Sequence, residues 1–510
     1  MAVHLAGEVR AEATKLIRRH ERYARDLHDE FERRNRRTGA ANTPAVMRPA
    51  HWSLAPGFNP YLVRSRADRI GFAIRRSLRD RSYRPRNAVF FEVPKADGSM
   101  RRVSMFQVGD SAVSSLVLRN LLQKNRQRLS AYSFAYRADL TVHDAIQHVA
   151  ADMRGKPRIF VAEYDFSKYF DSILHDHIWR IIRDQRFLLT EVEEAVCRGF
   201  LATPTLGPDE YVETGAERRE IGVPQGTSVS LFLANVAAWP LDRALERLGT
   251  GFARYADDTL IWSHDYARIC EAVEALNDAS AAIGAELNLQ KSEGISILAP
   301  DEAPVEFKAK SAVEFVGYSF SGDEVSLRSS SLAKIKERVS RIVYTNLLEA
   351  PKAGIIVPDR FAPPIDRDYV VMLFQLRRYL YGDLSEAKLR RFLRRVVPRM
   401  HYKGVMAFYP LVDSEATLRG LDGWLLHTVH TSLRARERLL GAAGHAALPE
   451  PHGLTPVQLL DFFGKSSDGT ELDLRLPSFR RMGKLLRRAA QVHGPNAIGH
   501  PKSNQYYLGH

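Results

Sequence analysis

This chain of 510 residues has only two cysteines, Cys197 and Cys270. Two thiols cannot build a cysteine-based zinc site or a disulfide-stapled secreted scaffold. No apolar run is long enough to cross a bilayer, so no membrane partner is expected. The first residues lack the apolar core of a secretion signal, and the expected compartment is a reducing cytoplasm. No internal repeat or low-complexity tract is found, and acidic residues are in deficit.

That deficit turns attention to what is present. Lys and Arg exceed Asp and Glu to give a net charge of +14, which favours a polyanion, nucleic acid before membrane. The length suits several domains. Residues 1–62 read as a charged, exposed helix over about 5–38, ending in Arg33-Arg34-Asn35-Arg36-Arg37, followed by a linker over 39–62. Residues 63–330 alternate strand and helix patterns, 331–443 are basic and helical, and 444–510 carry Pro, Gly and Ser clusters between short helices.

Within 63–330, Val89 to Val93 and the residues after Asp97-Gly98 read as a hairpin that sets Lys95 beside Arg101. Those cations can be plain solubility charges or can clamp a triphosphate. A strand over Arg158–Asp165 ends in a carboxylate. Thr190-x-x-Glu193 is a capping box. Gly222-Val223-Pro224-Gln225-Gly226 is a loop, Ser228 can cap the helix after it, and Pro240 should kink that helix. Phe252 to Trp262 reads as two short strands turning at Asp257-Asp258. Adjacent carboxylates between apolar strands repel each other, and a divalent cation is the common remedy. The other reading is an acidic tip in solvent. Asp265 and Gly284 bound a helix, and Val313 to Leu327 reads as one hairpin turning at Ser321-Gly322-Asp323.

The order strand, helix, hairpin, helix, strand matches a split βαβ sheet. In that layout Asp165 and the Asp257-Asp258 tip can meet on neighbouring strands and hold two divalent ions. Further on, Ser385–Val397 reads as a helix with Leu389, Phe392, Leu393 and Val396 on one side. Its Arg390, Arg391, Arg394 and Arg395 are candidates for nucleic-acid contact or for a solvated face. His427-x-x-His430 has helical spacing but no evident third ligand.

Six motifs, in family order over about 85–330, resemble those of reverse transcriptases. They are Val93-Pro94-Lys95-Ala96-Asp97-Gly98 with Arg101; Asp165 with Phe170 and Asp171; Gly222 to Gly226 with Ser230 and Ala234-Asn235; Tyr255-Ala256-Asp257-Asp258; Leu287-Asn288-Leu289 with Lys291; and Phe315-Val316-Gly317-Tyr318. The resemblance implies an α+β right-hand polymerase with fingers, a split-βαβ palm, a helical thumb and a helical C-terminal extension. It implies Asp165, Asp257, Asp258 and the backbone carbonyl of Phe166 as ligands of two Mg²⁺ ions, with Mn²⁺ able to substitute. Lys95, Arg101, Gln225 and Lys291 would serve the incoming nucleotide. Phe170 would lie under its sugar and exclude a 2′-hydroxyl, so the implied substrates are dNTPs, copied from an RNA template into DNA. Asp171 reads as a helix cap.

Ser230-Leu231 stands where many bacterial members have Ser-Pro, the Val-Thr-Gly signature of retron enzymes is missing, and cysteines are too few for a Cys/His-rich endonuclease. No RNase H constellation follows residue 330. The charged N-terminus and basic helical C-terminus resemble the bacterial defence-associated, "unknown group" reverse transcriptases, which are thought to act against phage, often with a noncoding RNA. Untemplated DNA synthesis, a non-catalytic RNA-binding scaffold and a group II intron-like enzyme are the alternatives.

Overall fold

A computed structural model describes residues 5–39, 42–94, 98, 100–156, 158–288, 294–300, 308–382, 384–394, 400–401, 404–445, 447–466, 468–495 and 498–499. Lys95, Lys291 and Arg395 lie outside the described residues.

The first helix, α1 (Leu5–Thr38), repeats apolar residues at helical spacing, and Leu5, Val9, Ala13 and Ile17 are buried. The expectation of an exposed helix is therefore corrected. One face packs on α2 (Pro60–Ser65), α3 (Ala67–Arg79) and α4 (Val108–Asn125). The basic end is not wholly solvated either. Arg37 is buried, with Asn346 Oδ1 at 3.4 Å and Glu30 at 3.8 Å. The stretch expected to be a linker folds into two one-turn 3-10 helices and α2, and Phe58 joins Val89 and Phe91 in a small core.

The fingers hairpin forms as expected. Strands β1 (Ala88–Pro94) and β2 (Met100–Met105) pair antiparallel, and Gly98 takes φ +80°. Next come α4 and α5 (Val142–Met153), then β3 (Ile159–Tyr164), α6 (Tyr169–Ser172), α7 (His175–Asp184) and α8 (Glu191–Ala202). The capping box of Thr190 and Glu193 is present. A short strand β4 (Thr205–Leu206) lies parallel beside β1.

Helix α9 (Ser228–Leu248) runs unbroken past Pro240, and its N-cap is Thr227 rather than Ser228. A donor freed at its first turn, Val229 N–H, is taken by Ser114 Oγ of α4 at 2.9 Å. Strands β5 (Gly251–Tyr255) and β6 (Asp258–Ser263) form the expected hairpin. Helix α10 (Tyr266–Ile283) is capped by Asp265 and closed by Gly284 at φ +84°. Strands β7 (Gly294–Leu298) and β8 (Ala309–Lys310) complete a five-stranded sheet of order β5-β6-β3-β7-β8. The central strand β3 is antiparallel to both β6 and β7, which is the split βαβ arrangement read from the sequence.

The expected single hairpin over 313–327 is a three-stranded meander, β9 (Val313–Phe315), β10 (Tyr318–Phe320) and β11 (Val325–Leu327). Val316 at φ +46° and Gly317 at φ +84° make a tight turn that hydropathy alone does not reveal. The remainder is chiefly helical: α11 (Ser329–Leu347), α12 (Glu349–Lys352), α13 (Arg367–Tyr381), α14 (Glu386–Leu393), α15 (Glu415–Ala442), α16 (Pro456–Leu460) and α17 (Phe479–His493). Helix α14 ends sooner than the sequence pattern suggests, though Leu389 and Phe392 are buried as expected. One sheet face packs on α9 and α10. The other shares a core with the meander, α11, α13, α15 and α17. Among the described residues no helix is long and apolar enough to cross a membrane.

Candidate active site

The antiparallel register pairs Tyr164 with Thr259, so Asp165, just past the end of β3, comes beside Asp258 at the start of β6, whose carboxyl feels its charge. Asp257 stands at the turn between β5 and β6, where Ala256 takes φ +64°. Asp165 is further held through its carbonyl, which accepts Asn288 N–H at 2.8 Å. Phe166 follows with a buried ring and bridges Leu287. Two distant segments and the hairpin therefore bring the three aspartates together at one sheet end.

Electrostatics registers the crowding. Burial pushes the Asp258 carboxyl up to about 7, reinforced by the charges of Asp165 and Asp257 and opposed by Arg328. Arg328 is itself held by Glu314, with Nε to Oε2 at 2.7 Å. Among the described residues no three His, Cys, Asp or Glu side chains already converge into a metal-ready group. Like charges keep carboxylates apart until a cation joins them. The donor set is nevertheless of hard oxygens around a site short of positive charge, which fits a divalent ion.

The tip is fixed from beneath. Arg254 is fully buried, donates twice to Asp242, and also donates to Ala256 C=O at 2.9 Å, Asn235 Oδ1 at 3.3 Å and Ser133 Oγ at 2.8 Å. Asn235 in turn donates to Ala135 C=O at 2.9 Å. The hairpin tip, α9 and the loop before α5 are thereby tied into one network. In the sequence Arg254 is simply one strand residue, and nothing local marks it as buried.

The Pro-Gln-Gly loop meets both neighbours through its backbone. Val223 N–H donates to Phe170 C=O at 2.6 Å, and Ser104 N–H of β2 donates to Gln225 C=O at 2.6 Å. Gly226 has φ +121°, and a Cβ there would sit 2.1 Å from Ser104 O, so glycine is required. The half-buried Gln225 side chain faces Asp171, with Nε2 3.4 Å from each carboxylate oxygen. Asp171 does not cap the next helix. It lies inside α6, and α7 has Leu174 as N-cap with no side-chain bond.

The half-buried Phe170 packs between Tyr169 and Tyr136, with centroids at 5.7 and 6.4 Å. Tyr136 is absent from the sequence-derived candidates. Burial first, then the charge of Asp257, raises its hydroxyl to about 12, while Arg101 pulls it back. It therefore stays protonated, in reach of the charges of both the acidic tip and β2. Arg101 itself is exposed on β2, opposite Val93. Arg390, Arg391 and Arg394 are exposed on or just after α14, in a different part of the chain from the aspartates.

An acidic strand end facing an acidic hairpin tip in a split βαβ sheet, with fingers before and helices after, is the right-hand polymerase fold. Residues 93–320 match the family "Reverse transcriptase (RNA-dependent DNA polymerase)". It is 26% identical over 241 residues to "Protein YkfC" of Escherichia coli (strain K12), covering 45% of this chain and 59% of the relative. It is 28% identical over 165 residues to "Uncharacterized 91 kDa protein in cob intron" of Schizosaccharomyces pombe, covering 31% of this chain and 19% of that protein. The chain thus spans only part of the length of either relative. Among solved structures, telomerase from Candida albicans aligns over 71% of this chain and 63% of its own at 12% identity and TM-score 0.39. Apo telomerase from Candida tropicalis, truncated at its C-terminal domain, aligns over 48% and 55% at 14% identity and TM-score 0.36.

Proposed function

We propose that this chain is an RNA-directed DNA polymerase that adds dNTPs to a 3′-hydroxyl. The observation that carries the reading is that Asp165, at the end of β3, comes beside Asp258 at the start of β6, with Asp257 at the tip, inside the stretch that matches the reverse transcriptase family. Asp165 and Asp257 would hold two Mg²⁺ ions, Mn²⁺ substituting, with Asp258 and the Phe166 carbonyl assisting. Bound there, the ions would activate the attacking hydroxyl and offset charge on the departing pyrophosphate.

The protein's own groups divide the remaining work. Arg101 and Lys95, which flank the Asp97-Gly98 turn in sequence, would hold the triphosphate. The Phe170 ring would fill the space beneath the sugar, where a 2′-hydroxyl would clash. Gln225 would face the bound nucleotide from the loop before α9. Lys291 would sit near the pyrophosphate as a proton donor. Arg390, Arg391, Arg394 and Arg395 would contact the nucleic-acid backbone.

Primer extension on an RNA template with Mg²⁺ tests the reading. Incorporation of dNTPs that collapses in Asp257→Asn supports it. Steeply salt-dependent RNA binding with no incorporation on any template would instead mark a scaffold, and a product sequence unrelated to the RNA would mark untemplated synthesis.

For the cellular role we propose antiphage defence with a noncoding RNA partner, exerted in the cytoplasm, on the resemblance of the charged N-terminus and basic C-terminus. Its test is phage challenge with Asp257→Asn as the control. The match to a protein in a cob intron favours a second reading, an intron-associated enzyme. Sequencing the RNA that co-purifies with the protein separates the two.

A further inference from the structure

We infer that Tyr136 is a positioning residue for the Phe170 ring, and so a second determinant of whether the site accepts a deoxyribose or a ribose. The inference rests on the polymerase reading above and deepens it.

The Phe170 ring needs an outside wall. It sits on the four-residue helix α6, whose N-cap Lys168 is already in the left-handed region at φ +48°. On one side stands Tyr169, itself locked by a hydroxyl bond to Ala234 C=O at 2.7 Å. Its ring lies at 88° to that of Phe170. On another stands Tyr136, from a loop more than thirty residues earlier, with its ring at 74° and 6.4 Å between centroids. Both are edge-to-face contacts of the kind aromatic pairs favour. A steric gate works only if its ring cannot turn aside, and these two walls hold it.

The backbone of Tyr136 supports a role beyond filling. Its φ is +61°, a left-handed conformation that costs a tyrosine energy and persists only where the surroundings impose it. Here they do. Phe134 N–H donates to Arg254 C=O and Arg254 N–H donates to Tyr132 C=O, both at 2.9 Å. Asn235 holds Ala135 C=O, Arg254 holds Ser133 Oγ, and Arg137 Nη1 donates to Ser130 C=O. The loop is thus lashed to the strand that carries the acidic tip. The same Arg254 that supports the turn through Ala256 C=O fixes the segment presenting Tyr136. The tip, the tyrosine and the gate ring are held at set distances by one network.

The ring of Tyr136, more than its hydroxyl, does this work. The ring makes the contact with Phe170, whereas the hydroxyl only feels the charges of Asp257 and Arg101.

The test is single-nucleotide incorporation on an RNA template with a DNA primer and Mg²⁺, giving kcat/KM for a dNTP over the matching rNTP. Tyr136→Ala is expected to lower that ratio about tenfold or more, and Tyr136→Phe to stay within about threefold of wild type. Tyr136→Leu, which fills more of the space, serves if the alanine variant does not fold, and is expected to fall as the alanine variant does because it lacks the flat edge. In a Phe170→Ala background, Tyr136→Ala is expected to add no further loss, because a positioning residue acts through the ring already removed. A ratio unchanged in Tyr136→Ala and Tyr136→Leu, or losses that add in the double variant, overturn the inference. The failures are distinguishable: if Phe170→Ala relaxes selection and Tyr136→Ala does not, only this inference falls. If wild type incorporates neither nucleotide, the polymerase reading falls and takes this one with it.

Discussion

Arg254 and Asp242 form a two-pronged ion pair in the core, Nε to Oδ1 and Nη2 to Oδ2 at 2.7 Å each. Both side chains are almost wholly buried. Removing one partner strands the other charge, so Arg254→Met should cost about 3–5 kcal/mol of stability. The double variant Arg254→Met with Asp242→Leu should recover part of that, since no charge is left alone. Denaturant midpoints of the three proteins check both statements, and a single-variant cost under about 1 kcal/mol would show that the pair is not what holds the tip.

Asp257 lies at a tight turn and Asp258 beside Asp165, so exchanging either carboxyl changes charge more than packing. Asp257→Asn should reduce primer extension about a hundredfold or more, roughly 3 kcal/mol in the transition state, with the melting temperature little changed. A variant that extends primers at near wild-type rate would remove Asp257 from the chemistry.

Gly226 meets two demands at once, φ +121° and close approach to Ser104 O. Gly226→Ala should therefore cost about 1–3 kcal/mol and loosen the contact between β2 and the loop before α9. Thermal unfolding reads the cost, and amide exchange at Ser104, whose N–H donates to Gln225 C=O, reads the loosening.

Burial pushes the Asp110 carboxyl up to about 6, although the Tyr83 hydroxyl at 2.7 Å and Arg86 N–H at 3.0 Å pull it back. Between about pH 4 and pH 6 the folded protein binds this proton and the unfolded chain does not. Stability should therefore fall as pH rises through that window, by on the order of 3 kcal/mol, and be level above it. His51, lowered to about 4 by burial, works in the opposite sense over nearly the same range. The difference between wild type and Asp110→Asn, measured by denaturation at pH 4.5 and 6.5, isolates the carboxyl. From pH 4.5 to pH 6.5 wild type should lose stability relative to Asp110→Asn, and a difference that does not change with pH would contradict the assignment.

Much of the site could be read from the chain because its signals are local. A hairpin with two aspartates, a strand ending in a third, the Thr190 capping box and the bounds of α10 each depend on neighbours a few residues away. Turn chemistry, capping and side-chain alternation act at that range. Two readings failed at the same scale: Ser228 as an N-cap, because Ser114 of α4 takes the Val229 N–H instead, and Asp171 as a cap, because it lies inside α6 and α7 has Leu174 as its N-cap with no side-chain bond.

The amino-acid order by itself determined which segments become strands and which carry paired carboxylates, since periodicity and turn preference are properties of short stretches. Only the tertiary structure decided that Arg254 is buried beneath the tip, that Tyr136 faces Phe170 from a left-handed backbone, that Asp165 comes beside Asp258, and that α1 hides one face. Each of those facts joins residues far apart in the chain. It depends on which surfaces exclude water together, and no short window of sequence contains that information.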